Sequence, residues 1–175
     1  SAPSPLCAIE PDGDGHVTIP SEWTSIESSA FEGCISLSTI TILNTVTSIE
    51  RLAFSKCIRL SNISISDSVT SIGSAAFSSC ENLKAIAIPY SVTSIGSFAF
   101  YSCTSLSTIT IPDSVTIGAS AFTYCPCSSS LYVAGATLYD CSFTHAPSVA
   151  PHIYTTTNHP TSSPTHVLDV TALNP

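Results

Sequence analysis

Ala53-Phe54-Ser55-Lys56-Cys57 decides the fold, because Ala-Phe-x-x-Cys returns at Ala30-Phe31/Cys34, Ala76-Phe77/Cys80, Ala99-Phe100/Cys103 and Ala121-Phe122/Cys125. The copies step by 23, 23, 23 and 22 residues. Leu37, Leu60, Leu83 and Leu106 keep the same step, and so does Thr-Ser-Ile at 24–26, 47–49, 70–72 and 93–95, which shortens to Thr116-Ile117. Three registers locked at one period are the signature of a solenoid, in which each repeat is one coil.

Working outward from that pentapeptide gives one coil. In Leu37-Ser38-Thr39-Ile40-Thr41-Ile42, Ile alternates with Thr. This period of two in β-branched residues predicts a short strand with Ile inside and Thr outside. Pro20, Pro89 and Pro112 follow the strand in three coils and end the ladder there. Val46 and Ile49 point inward from a second extended stretch. Gly73, Gly96 and Gly118 turn the chain, but Glu27 and Glu50 hold the same place earlier, so positive φ is not obligatory there. Ala53, Phe54 and Cys57 have i, i+3, i+4 spacing, which predicts a short helical or 3₁₀ turn. No coil buries this set alone. Stacked coils do, at a spacing of ~4.8 Å and a total length of roughly 24 Å for five.

The expected fold is a leucine-rich-repeat solenoid: a strand-rich, right-handed coil of five repeats with short 3₁₀ or helical turns and two caps. Residues 1–16 read as the N-terminal cap and 17–125 as the solenoid. Residues 126–143, with Leu131-Tyr132-Val133 and Thr137-Leu138-Tyr139 around Gly135, read as a C-terminal capping segment. Residues 144–175 read as a Ser/Thr/Pro-rich tail. Trp23 stands where later coils have the ladder Val, as suits an end coil.

Composition narrows the function classes. Four Lys and Arg against 12 Asp and Glu give a net charge of −8. So few cations cannot neutralise a phosphate backbone, which argues against nucleic acid. Only 9% of residues are charged, so solubility rests on Ser and Thr hydroxyls, a composition suited to an extracellular or lumenal surface. No apolar run reaches 18 residues, so no membrane span is expected. The chain has no Met and opens Ser1-Ala2-Pro3-Ser4-Pro5, which reads as the start of a processed protein whose targeting segment has been removed.

Ile-Pro-Asp-Ser-Val-Thr at 111–116, Ser-Ile-Gly at 71–73 and 94–96, and the Ala-Phe-x-x-Cys copies resemble the BspA-like (Treponema-type) leucine-rich repeats over roughly residues 16–125. The resemblance implies a surface or secreted protein associated with adhesion and protein binding, in which the repeats carry no catalytic residues. Leu43 and Ser66, in place of the strand-ending Pro, depart from the pattern, as does the one-residue deletion in the last full turn.

The chemistry-bearing residues have plainer readings. The ladder thiols Cys34, Cys57, Cys80, Cys103 and Cys125 are expected to be free, buried, small hydrophobes. Stacked Cβ atoms ~4.8 Å apart exceed the ~3.8 Å mean of a disulfide. Cys7, Cys127 and Cys141 lie off the ladder. Cys127 with Cys141 is the candidate disulfide for the C-terminal cap, and with three off-ladder Cys at least one stays free or borrows a ladder partner. Cys125, Cys127, Cys141 and His145 also fit a loose zinc spacing, but Cys125 belongs to the core, and no metal or cofactor is expected. His145, His152, His159 and His166 are seven apart among prolines, too far apart when extended to share an ion. Asp12-Gly13-Asp14-Gly15 begins like a calcium loop, but His16, Val17 and Trp23 stand at ligand positions, so it reads as a turn. Asp67 and Asp113 read as turn residues, and no G-x-S-x-G elbow exists. Arg51, Lys56 and Arg59 read as a solvated edge beside Glu50.

These readings leave a binding surface as the function. The candidate partner-binding face is the outward strand row Thr39, Thr41, Asn62, Ser64, Ala85, Ala87, Thr108 and Thr110, with Ala85 and Ala87 as an apolar centre among hydroxyls. Asn62-Ile63-Ser64 is the one N-glycosylation sequon, and a glycan on Asn62 would cover that face. The first expectation is a non-catalytic protein-binding or scaffold module of an exported or surface protein. The alternatives are an ordered accessory subunit or fibre element of a larger assembly, and ice or mineral binding through the Thr-x-Thr rows.

Overall fold

The computed structural model describes residues 7–112 and 114–126. They form a parallel-strand solenoid with about 23 residues per coil. One strand series comprises β1 (His16–Thr18), β3 (Thr39–Thr41), β5 (Asn62–Ser64), β7 (Ala85–Ala87) and β9 (Thr108–Thr110). The other comprises β2 (Ser25–Ile26), β4 (Ser48–Ile49), β6 (Ser71–Ile72), β8 (Ser94–Ile95) and β10 (Thr116–Ile117).

Every pairing is parallel, and like residues sit opposite like. Val17 faces Ile40, and Ile40 faces Ile63. The second series forms one five-stranded sheet in the order β10-β8-β6-β4-β2. The first series is split into β1-β3-β5 and β7-β9, and no ladder pair joins β5 to β7. The alternation read from the sequence holds: Ile40, Ile42, Val46 and Ile49 are buried, and Thr41 is exposed.

The expected helical or 3₁₀ turn is corrected. No helix occurs among the described residues; the segment is a chain of single turns. Alternate amides go to different places. Leu52, Phe54 and Lys56 donate N–H forward to the carbonyls of Ser74, Ala76 and Ser78 in the next coil. Ala53, Ser55 and Cys57 donate back to Glu50, Leu52 and Phe54. Aiming every second amide along the solenoid axis requires left-handed residues in each coil, and a helical run cannot contain them. Positive φ therefore recurs at Ser29, Leu52, Ala75, Phe98 and Ser120, and again at Gly33, Lys56, Ser79, Ser102 and Tyr124. Only one of these ten is Gly. The i, i+3, i+4 spacing thus reported which side chains share the interior, not which hydrogen bonds form.

Gly73, Gly96 and Gly118 do not have positive φ. They recur because coils approach closely there: a Cβ on Gly73 would lie 2.6 Å from the Arg51 nitrogen of the coil before.

The core is a set of columns. Phe31, Phe54, Phe77, Phe100 and Phe122 stack with ring centroids 5.2–5.3 Å apart and planes within 10°. Isolated rings avoid such face-to-face stacking. Here the coil spacing imposes it, and burial compensates. Trp23, tilted by 41° and 6.4 Å from Phe31, closes the column at its first end.

The Cys column is hydrogen-bonded. Cys57, Cys80, Cys103 and Cys125 each donate S–H to the carbonyl of the Phe one coil earlier, namely Phe31, Phe54, Phe77 and Phe100, at 2.9–3.2 Å. Burial pushes the Cys57 thiol up to about 12 and Cys80 well above its ordinary value, so both keep the proton that the bond needs.

Cys34 corrects the expectation of five free ladder thiols, because it is bonded to Cys7 with Cα atoms 5.2 Å apart. No coil precedes Cys34 to accept its proton. Cys7, entering from the N-terminal segment, takes the vacant place in the column as a covalent partner. In the chain-entropy account, a crosslink across 27 residues contributes about 3.5 kcal/mol. The proposed Cys127–Cys141 pair and the capping and tail segments from 127 onward lie outside the described residues.

Three outcomes follow from these ladders. Phe77→Ala should cost ~3–5 kcal/mol, and hydrogen exchange should quicken in the coils on both sides; loosening confined to one coil would contradict a shared core. Ala75→Gly, at φ 56, should be neutral or stabilising, whereas Ala76→Gly beside it should cost about 1–2 kcal/mol; equal losses in urea denaturation would contradict the alternating conformation. Stability should also fall at high pH. The folded pKa of Cys57 is raised, so below pH 9.0 both states hold the proton, and between 9.0 and about 12 only the unfolded chain loses it. The loss should approach about 1.4 kcal/mol per pH unit. It should be smaller in Cys57→Ala, which is read by comparing urea midpoints from pH 8 to 10.5.

Candidate functional site

The strand row predicted from the sequence is assembled by the ladder register. Thr39 faces Asn62 and Thr41 faces Ser64; Ala85 faces Thr108 and Ala87 faces Thr110. All are exposed except Thr39, which is half-buried. The alternation of short strands on a buried Ile column holds these side chains outward. The row is not one continuous surface. It divides where β5 meets β7, leaving a three-strand patch and a two-strand patch. The Thr-x-Thr rows of β3 and β9 accordingly lie in different patches.

The first patch extends further than the predicted row, to His16 and Thr18 of β1. The imidazole of His16 is within hydrogen-bond distance of Thr39 Oγ1 at 2.7 Å, Thr18 Oγ1 at 3.2 Å and Thr41 Oγ1 at 3.3 Å. The 23-residue offset between His16 and Thr39 was the signal that could have found it. Behind it, the Asp12 carboxylate accepts N–H from His16 at 2.9 Å and from Asp14 at 3.0 Å. The N–H of His16, ahead of burial and the other contacts, holds this carboxyl below its usual range. The Asp12-to-Gly15 stretch is therefore a self-satisfied turn, with Gly15 at φ 81.

Elsewhere, hydroxyl groups are used between coils. Thr47, Thr70 and Thr93 each donate to the carbonyl of the Thr one coil earlier, at 3.1–3.2 Å. Ser68 and Ser91 do the same to Val46 and Val69. The predicted cation cluster is exposed, and its Lys56 lies 4.0 Å from Glu32, a contact that contributes little at such exposure. A shallow cleft beside the disulfide is lined by Cys7, Ser29, Glu32 and Lys56.

Among the described residues, no group of His, Cys, Asp and Glu is arranged to hold a metal. The candidate zinc set is represented there only by Cys125, whose thiol is committed to Phe100. Cys127, Cys141, His145, His152, His159, His166 and Asp113 lie outside the described residues. Asp67 is an exposed turn residue, as read from the sequence, and Asn62 is exposed on β5. Among the described residues, no helix is long and apolar enough to cross a membrane.

The comparisons agree with this architecture. The model of the BspA type leucine rich repeat region matches six copies over residues 15–128. A leucine rich repeat protein of T. pallidum is 33% identical, with a TM-score of 0.60, covering 62% of this chain and 53% of its own. A leucine rich cell surface protein of Faecalibacterium prausnitzii A2-165 is 34% identical, with a TM-score of 0.62, covering 69% of this chain and 34% of its own. A leucine-rich repeat protein of Bacteroides ovatus is 33% identical, with a TM-score of 0.53, covering 64% and 35%. The chain thus spans about half or less of the solved proteins it resembles. No curated protein matches it in sequence. With the repeat matched over most of its length and the coil geometry in accord, the chain belongs to the BspA-type leucine-rich repeat family.

Proposed function

We propose that the chain is a non-catalytic protein-binding module of an exported or surface protein, and that a partner lies against the strand face. The observation that carries this reading is the face itself. Its side chains are short, uncharged and in register, so a flat partner can approach closely with little loss of side-chain entropy. Ala85 and Ala87 form the apolar middle of the β7–β9 patch, and Thr108 and Thr110 form its hydroxyl flank. Most other polar groups around the coil are already bonded to the next coil and offer little chemistry to a substrate.

Export is supported by the Cys7–Cys34 bond, since such bonds persist in oxidising compartments. The cell-surface description of the Faecalibacterium relative points the same way. The area of the face is modest, so affinity from it alone should be weak.

The test is the double variant Ala87→Arg with Thr110→Arg, which places two cations within the unbroken β7–β9 patch. Both side chains face solvent, so the melting temperature should hold, while retention of the native complex should drop at least tenfold. A double variant that enters its complex normally, with an unchanged particle size, would exclude this face as the docking surface.

A further inference from the structure

The turn edge of the solenoid changes character from coil to coil. In the first coils it carries charge: Glu27, Glu32, Arg51 and Lys56. In the third it is small and polar, with Ser74, Ala75, Ser78 and Ser79. In the last two it becomes aromatic. Phe98 is 47% exposed and Tyr124 is 63% exposed, with half-buried Tyr101 between them. The rings meet edge to face, Phe98 to Tyr101 at 5.7 Å and Tyr101 to Tyr124 at 5.1 Å. The cluster is rigid and uncharged, and is bordered by Ser97, Ser102, Ser120 and Thr123.

Two of these rings sit on unfavourable backbone. Phe98 has φ 60 and Tyr124 has φ 62. A bulky residue at positive φ is an outlier, and most coils fill these two positions with smaller or flexible side chains. Burial does not compensate, because both rings face solvent. Aromatic surface held open at a conformational cost is what an aromatic-lined docking site looks like, and proline is the residue that such surfaces take best. Its φ is already set, so stacking its ring costs little entropy.

The chain itself supplies such a segment. Tyr124 lies two residues before Pro126, the last described residue, and residues 127–175 follow. Within them, Ala146-Pro147-Ser148-Val149-Ala150-Pro151 has two prolines and no charge. The residues between Pro126 and Pro147 can span roughly 60 Å when extended, far more than a return to Tyr124 needs. We propose that segment 146–151 docks its prolines on the Phe98–Tyr101–Tyr124 cluster of the same chain. The cluster belongs to the turn edge, not to the strands of β7 and β9, so this inference stands or falls apart from the strand-face reading.

The test uses the full chain and two variants. The first combines Phe98→Ala, Tyr101→Ser and Tyr124→Ser, which places at each site a residue that another coil already carries there, in Ala75, Ser78 and Ser102. The second is Pro147→Ser with Pro151→Ser, which leaves the solenoid untouched. Cleavage within 146–151 by a broad-specificity protease should be at least tenfold slower in the natural chain than in either variant, at a particle size of one chain. Equal rates in all three would overturn the proposal. So would protection that survives the proline variant, which would mean another segment is seated. Protection seen only in a dimer would make a second copy the occupant and would overturn it too.

Discussion

Backbone hydrogen bonds between residues one coil apart are the constraint on which everything else depends. Three bands of them run along the solenoid: the two strand series and the turn segment, where every second amide points to the next coil. Because the offset is the same in all three, each side chain is delivered onto its counterpart. The Phe column, the Cys column and the Ile columns follow from that offset rather than from any attraction peculiar to their members. The turn band shows how strong the constraint is. Nine non-glycine residues accept positive φ so that the amides beside them can reach the next coil.

The same constraint explains why this surface is chemically quiet. A buried or half-buried hydroxyl or thiol needs a partner, and in a stack the nearest acceptor is a carbonyl of the previous coil. Thr47, Thr70, Ser68 and Ser91 use it, and so do four cysteines. Groups that could have served as nucleophiles or ligands are thereby committed to structure. Two kinds of surface remain open for recognition: the outward strand rows and the few turn-edge positions whose side chains stack on nothing inside.

The ends are where periodic logic fails, and the first end shows the remedy. A ladder member at the start of a stack has no earlier carbonyl, as Cys34 has none, and a covalent bond to Cys7 replaces the missing hydrogen bond. Trp23 does the corresponding work for the Phe column, offering a larger ring where no further Phe exists.

The period, the fold class, the inward set of Ile, Val, Phe and Cys, and the outward strand row were all legible in the sequence. Each depends only on spacing and side-chain polarity, and stacking turns spacing directly into contact. The conformation of the Ala-Phe-x-x-Cys turn was not legible. Helical spacing and an alternating left- and right-handed turn bury the same side chains and differ only in where the amides point. The break between β5 and β7 was equally hidden, since the residues on both sides are ordinary strand formers and pairing is a matter of backbone geometry. Cys34 looked like its four ladder mates because its difference lies in what precedes it in space. The aromatic cluster was missed for a related reason. Phe98, Tyr101 and Tyr124 occupy three different places in the repeat, and only the stacking of one coil on the next brings them to one corner.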